Sequence, residues 1–289
     1  MSARDAAAAP ERPLAIVCGG GALPLAVADA VTSRGRPVVL FPVRGWVEPL
    51  AVAGYRHRWI AIGQLGRLRR LAAEERCGEM VWIGTVLRPS PWQIRLDLAT
   101  LRELPRILAG FRGGDDHLLT MLGRILEEHG LKLVGAHEVA PEILVREGTI
   151  GRLGPGDRDR ADIARGLAVL AATGPYDIGQ AVVVADNHVL ALEAAEGTDN
   201  MLARIVDLRL QGRVRSRLGT GVLVKAAKTG QDRRFDLPSI GPQTVAGVAR
   251  AGLAGLAVVA GDAIIAQPQQ VALAADAARI FVAGVRGND

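Results

Sequence analysis

The chain has 289 residues, which at about 100–200 residues per domain implies two domains with real apolar cores and excludes a small stapled scaffold. Hydrophobic residues make up 49% and charged residues 22%, the proportions of soluble globular proteins, so wholesale disorder is excluded as well. The formal net charge is +5, and aromatic residues at 3% supply few rings for stacking unpaired bases, which sets nucleic acid aside as a partner.

The opening MSARDAAAAPE reads as a frayed tail. The longest run free of Asp, Glu, Lys and Arg is Pro13 to Ala28, sixteen residues broken by three glycines and a proline. A bilayer span needs roughly 20 apolar residues in unbroken helix, so no transmembrane helix is expected. Asp5, Glu11 and the glycines also make it a poor signal peptide. Within it, LAIVC (14–18) predicts a buried strand, followed by a glycine loop and a helix from Leu23 to Arg34 with Gly35 placed to end it. PVVLFPV (37–43) and RWIAI (58–62) predict strands, GQLGRLRRLAAEERC a helix, and EMVWIG (79–84) the next strand. Such alternation favours a mostly parallel sheet covered by helices, a Rossmann-like domain. Helices are expected at Asp97–Ala109 and Asp115–His129. Glycine and proline then accumulate in EGTIGRLGPG, which places a domain boundary near Gly135, dividing the chain into 12–134 and 135–289. The second half predicts a helix (Arg158–Ala172), a hairpin turning at Asp186 and Asn187 in QAVVVADNHVLALEA, a helix from Thr198 to Leu208, a strand GVLVKA, a helix from Pro242 to Ala251, and strands LAVVAG and ARIFVAGV. This is a mixed α/β domain, and the whole is a two-domain α/β fold with the site expected between the domains.

Only Cys18 and Cys77 are present, each in an apolar stretch, so neither a disulfide framework nor a cysteine zinc site can be built, and the cytoplasm is the simplest compartment. The loop Gly19-Gly20-Gly21 joins a strand to a helix, where backbone N–H groups and the helix dipole suit an anion. Pro24 stands where the dinucleotide fingerprint needs glycine, and no acid occupies the ribose-reading position, so a tight turn explains the same residues. Gly114-Asp115-Asp116-His117 resembles a metal triplet, but aspartate beginning a helix is an ordinary cap. The five histidines are scattered, which leaves only a hard cation such as Mg²⁺ on carboxylates and substrate oxygens.

Arg204 to Asp236 holds nine basic and three acidic residues, +6, leaving −1 for everything else. Such focusing points to a phosphorylated ligand or an acidic membrane surface. Just before it, Glu193-Ala-Ala-Glu196-Gly197-Thr198-Asp199 ends a strand and begins a helix. The two carboxylates flanking its glycine, Glu196 and Asp199, could hold Mg²⁺ beside a phosphate, or Thr198 could simply cap the helix and Asp199 offset its dipole. Inside it, Lys225, Lys228, Gln231, Asp232, Arg233, Arg234 and Asp236 follow a strand and combine cations for phosphate oxygens with carboxylates for a metal or a proton, the division of labour of phosphoryl transfer; the plainer alternative is a turn acid at Asp236 and a solvated face of arginines.

Taken in order, IVCGGGALP, GAHEVAPEIL, DIGQAVVV, LALEAAEGTDNMLARI and KAAKTGQDRRFDLPSIGPQT resemble the Mg²⁺-dependent UDP-2,3-diacylglucosamine pyrophosphatases of the lipid A pathway, the LpxI family, which is distinct from the calcineurin-like type. The resemblance runs from about Leu14 to Val285. It implies cleavage of UDP-2,3-diacylglucosamine to UMP and 2,3-diacylglucosamine 1-phosphate (lipid X), with Asp236 as the catalytic aspartate. It also implies that Glu196, Thr198, Asp199, Lys225, Lys228 and Gln231 line the site. In the proposed division of roles Glu196 and Asp199 hold Mg²⁺, and Gly19, Gly20, Gly21, Thr198, Lys225, Lys228 and Gln231 bind substrate. Thr229 stands where relatives often carry proline. A substrate with acyl chains implies transient attachment to the inner-membrane surface without a span; a homodimer is left open. The rival readings are a nucleotide-binding oxidoreductase or sugar-nucleotide-modifying enzyme, and a non-enzymatic module binding anions or lipid surfaces.

Overall fold

A computed structural model describes residues 11–86, 90–111, 115–176, 178–228, 232–235 and 237–287. Most of the expected tail, Gly114, Gln231 and Asp236 therefore lie outside the described residues. The chain divides into two compact units, Met1–Ala140 and Pro141–Asp289.

The first unit is built on β1 (Leu14–Cys18), flanked in parallel by β2 (Val38–Pro42) and β3 (Glu79–Ile83). Between them run α1 (Leu23–Ser33), a single turn α2 (Pro49–Val52) and α3 (Leu65–Glu74). A 3₁₀ turn (Pro91–Gln93), α4 (Leu98–Phe111) and α5 (Asp115–Glu127) lead to the short β4 (Lys132–Leu133), which closes the order β2-β1-β3-β4, and α6 (Ala136–Val139) ends the unit. All pairings are parallel, as the strand–helix alternation requires. Val27 and Val31 of α1 and Leu68, Leu71 and Ala72 of α3, at helical spacing, are buried. RWIAI is not a continuous strand: isolated parallel bridges join His57, just before it, to Leu40 of β2 and Ile60 to Val43, just after β2. The Arg58 and Ile60 amides donate to the Leu40 and Pro42 carbonyls, and the Leu40 and Arg44 amides donate to Arg56 and Ile60. The missing rung would need an N–H on Pro42, which proline lacks.

The second unit begins with β5 (Gly148–Ile150), a strand hidden in the glycine-rich stretch, and α7 (Asp157–Thr173). The hairpin β6 (Ala181–Ala185) and β7 (His188–Leu192), then α8 (Gly197–Leu210), β8 (Val222–Lys225) and β9 (Ser239–Ile240) follow. The chain continues through α9 (Pro242–Arg250), β10 (Gly255–Val259), β11 (Ile264–Ile265), α10 (Pro268–Ala278) and β12 (Phe281–Val285). The sheet order is β5-β12-β10-β8-β6-β7, parallel in its β12-β10-β8 centre and antiparallel at both margins; β9 and β11 pair separately. Alternation divides each strand between two cores. Val182, Val184, Val222 and Val224 face Ile163, Leu167 and Leu170 of α7, while Val183, Leu223, Leu256 and Val258 face Met201, Leu202 and Ile205 of α8 and Val245 and Val248 of α9. A methyl group on Gly166 would lie 2.6 Å from Val224 Cγ2, so α7 packs on the sheet through a residue without a side chain. The hairpin turns as expected at Asp186 and Asn187, both with positive φ, the backbone of a primed turn. Buried Asp162 accepts both turn amides, at 3.2 and 2.6 Å.

Candidate functional site

In the second unit, the strand ends that deliver loops to one edge of the sheet gather Lys225, Gln180 and Glu193, because Ala181 pairs with Lys225 and Val182 with Leu192. Ligands of α/β sheets sit at this edge, beyond the carboxyl ends of the parallel strands. Glu193 follows β7 and is 7% exposed. Its Oε2 accepts the Gln180 amide (3.0 Å) and its Oε1 accepts the Thr198 hydroxyl (2.8 Å). The Gln180 carbonyl in turn accepts the Ala226 amide at 3.1 Å. One buried carboxylate therefore ties the start of β6 to the first turn of α8, and Gln180 ties both to the residues after β8. Gly179 (φ +36°) fits beneath because any Cβ there would fall on the Glu193 carbonyl.

Lys225, the last residue of β8, is 5% exposed, and its Nζ donates to the Ser239 carbonyl at 3.0 Å. An ammonium withdrawn from water requires such partners. This contact brings the SIG end of the DLPSIG segment against the lysine; Lys228, three residues on, is half-buried. Asp236 and Gln231 lie outside the described residues.

The EGTD residues divide by geometry. Thr198 does not cap α8: its hydroxyl is given to Glu193. Glu196 is held by Arg204 (2.8 Å) and by the Ala194 amide (3.1 Å). Asp199 stands exposed in the first turn of α8, where the positive end of the helix dipole favours an anion. Among the described residues no three His, Cys, Asp or Glu side chains are grouped to hold a metal ion.

Much of the basic segment is spent on structure. Arg209 donates to the Ala251 and Ser216 carbonyls (2.8 and 2.7 Å), Arg233 pairs with Asp262 (2.9 Å), and Arg234 pairs with Asp232 (2.8 Å). Burial lowers the Arg209 guanidinium below its usual range. Arg213, Arg215 and Arg217 remain as an exposed basic run.

In the first unit, the order β2-β1-β3 makes the ends of β1 and β3 a topological switch point. There Gly19 and Gly20 donate to the Ile83 and Thr85 carbonyls (2.9 and 2.8 Å), and Thr85 returns a bond to Gly20 (2.9 Å). A Cβ on Gly19 would lie 2.6 Å from Gly84. Two of the three loop amides are thus committed to joining β1 to β3. The adjacent cavity, of about 140 Å³ beside Gly21, Pro24 and Trp46, is smaller than the ~300–1,000 Å³ of ordinary ligand pockets. Burial pushes the Cys18 thiol up to about 12 and, with Glu75 nearby, Cys77 up to about 11, the direction opposite to that of an activated thiolate.

Fold and site define a two-unit α/β protein whose second unit collects a buried lysine, a buried glutamate and a helix N-terminus at one sheet edge. The model of the LpxI N-terminal domain matches residues 13–143 and that of the LpxI C-terminal domain residues 146–283. Across 276 residues, 95% of this chain and 98% of the relative, the sequence is 38% identical to the UDP-2,3-diacylglucosamine pyrophosphatase LpxI of Caulobacter vibrioides. The chain belongs to the LpxI family. Glu193 and Gln180 are the members of this hydrogen-bonded cluster that sequence reasoning missed as participants. Both stand inside quoted motifs, but nothing in the string reveals that one is buried and the other bridges.

Proposed function

We propose that this chain hydrolyses the diphosphate bond of UDP-2,3-diacylglucosamine, releasing UMP and 2,3-diacylglucosamine 1-phosphate in lipid A biosynthesis. The observation that carries this reading is its kinship, over nearly the full length of both chains, with a pyrophosphatase of that name. The cluster at the sheet edge supports it. Lys225 and Lys228 balance charge on the diphosphate, and Thr198, fixed by Glu193, contacts substrate together with Gln231. Asp236 orients or deprotonates the attacking water. Asp199 holds Mg²⁺, with Glu196 joining only if it leaves Arg204; bound Mg²⁺ supplies Lewis-acid neutralisation of the diphosphate oxygens. Gly19, Gly20 and Gly21 enter the proposal through close backbone approach at Gly21, since the other two amides are already committed. The setting is cytoplasmic, at the inner-membrane surface. Attachment in this reading is peripheral and transient, through the acyl-bearing substrate, and a homodimer is compatible with it; among the described residues no helix is long and apolar enough to cross a membrane.

The test is incubation with UDP-2,3-diacylglucosamine and Mg²⁺ in H₂¹⁸O with mass analysis of both products. Formation of UMP and lipid X, abolished by a chelator and with label in lipid X, supports the proposal; an intact substrate contradicts it.

A further inference from the structure

Of the fifteen exposed large hydrophobic residues among those described, seven fall between Val86 and Leu108. Trp92, in the 3₁₀ turn before α4, is 87% exposed. On α4 itself Leu98, Leu101 and Leu108 are 65%, 47% and 56% exposed. With exposed Pro105 they follow the spacing i, i+3, i+7, i+10, a continuous stripe on one side of a helix. The opposite side of α4 is the one that packs: Thr100 and Ile107 are buried. Arg102, Glu103 and Arg106 occupy the flanks between the two apolar sides, and an exposed apolar stripe of this length on a helix marks an interaction surface.

The charge beside the stripe identifies what that surface meets. The N-termini of α3 and α4 are locked together: Asp97 accepts the Thr100 amide and hydroxyl (2.8 and 2.7 Å) and the Arg67 amide (2.8 Å), and Thr100 Oγ1 accepts the Leu65 amide (3.0 Å). Gly66 permits the crossing, since a Cβ there would lie 2.7 Å from Ala99 Cβ. Beyond the crossing lies a groove of about 500 Å³ whose charged lining, among the described residues, is Arg69, Arg70, Arg102 and His129, with the Asp97 carboxylate, committed to its hydrogen bonds, at its Gly66 margin. Arg70 meets Glu74 only at 3.7 Å, and Arg69, Arg95 and Arg102 form no ion pair among the described residues. Nearby Glu103 and Glu128 are both taken by Arg106. An apolar stripe and an exposed tryptophan beside a groove that holds Arg69, Arg70 and Arg102 match the layered chemistry of an anionic bilayer. Leucines enter the acyl boundary, the indole sits at headgroup level, and guanidiniums meet lipid phosphates.

We propose that the 92–108 segment, with the groove of Arg69, Arg70 and Arg102, is a docking surface for anionic phospholipid bilayers. It rests on the reading above that the substrate is a membrane lipid, and it moves the attachment site from the Arg204–Asp236 segment to the first unit. A second copy of the chain could also cover a leucine stripe, but a cationic groove would then face an identical cationic groove.

The test is co-sedimentation of the full chain with vesicles of phosphatidylcholine alone or with about 30 mol% phosphatidylglycerol. The variants are Leu98→Gln/Leu101→Gln/Leu108→Gln, Arg69→Gln/Arg70→Gln/Arg102→Gln, and, for comparison, Arg213→Gln/Arg215→Gln/Arg217→Gln. The expected result is binding to the anionic vesicles, weakened about ten-fold or more by the leucine variant. The groove variant loses the preference for anionic lipid, and the comparison variant is affected less than either. Wild-type binding by the leucine variant, or a larger loss in the comparison variant, overturns the proposal. So does a leucine variant that converts a dimer to a monomer in analytical ultracentrifugation while vesicle binding is kept. Hydrolysis of detergent-dispersed substrate is measured in parallel. Wild-type turnover without vesicle binding refutes the docking surface alone, and absent turnover refutes the hydrolase reading alone. Retained turnover, within about two-fold, shows that the variants fold.

Discussion

Replacing Glu193 by alanine removes the carboxylate that joins β6 to α8 and strands two donors, the Gln180 amide and the Thr198 hydroxyl, at a position 7% exposed. Hydrogen bonds to a charged acceptor contribute about 1.5–3 kcal/mol each, and a buried donor left unmade costs about as much, so the variant should lose about 3–5 kcal/mol. Glu193→Gln keeps one carbonyl acceptor and should lose roughly a third to a half of that. At a urea m-value of about 2 kcal/mol/M, the alanine variant's unfolding midpoint falls by about 2 M. The assay separates the two units. All four tryptophans, Trp46, Trp59, Trp82 and Trp92, lie in the first unit, so tryptophan fluorescence reports the first unit's transition, and far-UV circular dichroism, which sums both units, shows the second unit's transition as the component that fluorescence lacks. The expected outcome is a displaced dichroism transition and, through the released Thr198, reduced turnover. A midpoint shifted by less than about 0.3 M would refute the assignment of Glu193 as the tie between the loops.

Other expectations follow from the same geometry. Gly19→Ala forces a Cβ to 2.6 Å from Gly84 and should destabilise the first unit by about 1–3 kcal/mol, read as an earlier fluorescence transition. Lys225→Met preserves the stem but removes the cation at the sheet edge, so turnover should fall by a factor of order 10², with a smaller change in KM; unchanged turnover would remove Lys225 from the site. Although burial acts to raise it, the hydrogen bonds of Asp97 to Thr100, Arg67 and Gly66 hold its carboxyl below the usual range. A depressed carboxyl stabilises the fold above its unfolded value and loses that contribution as pH falls through the folded value. The gap in stability between wild type and Asp97→Asn should therefore be full at neutral pH and close in acid, as urea titrations at several pH values would reveal.

Regular elements were legible because their chemistry is local. LAIVC and GVLVKA are continuous apolar runs of buried parallel strands, and Asp186-Asn187 is a turn signal that states its own backbone. Elements that depend on distant partners were not. β9 and β11 are two residues each and show no period, β5 is a margin strand of Gly148, Thr149 and Ile150 defined only by its pairing with β12, and RWIAI is uncoupled from β2 by the missing amide of Pro42. Ala-rich α10 gave no sharp polar boundary. For the site, the string locates the acids and lysines but not their engagements. That Arg204 occupies Glu196, that Arg233 and Arg234 are bound to Asp262 and Asp232, and that Glu193 is the buried hub are facts of burial and approach.

The central claim is that the EGTD and DLPSIG segments act on one diphosphate as a unit. It is tested most directly by the turnover of UDP-2,3-diacylglucosamine with Asp199→Asn, Asp236→Asn and the double variant. Groups acting together are strongly non-additive. The account predicts that each single change removes most turnover and that the double variant is no slower than the worse single one. Full activity in either single variant, or losses that simply multiply in the double, would contradict it.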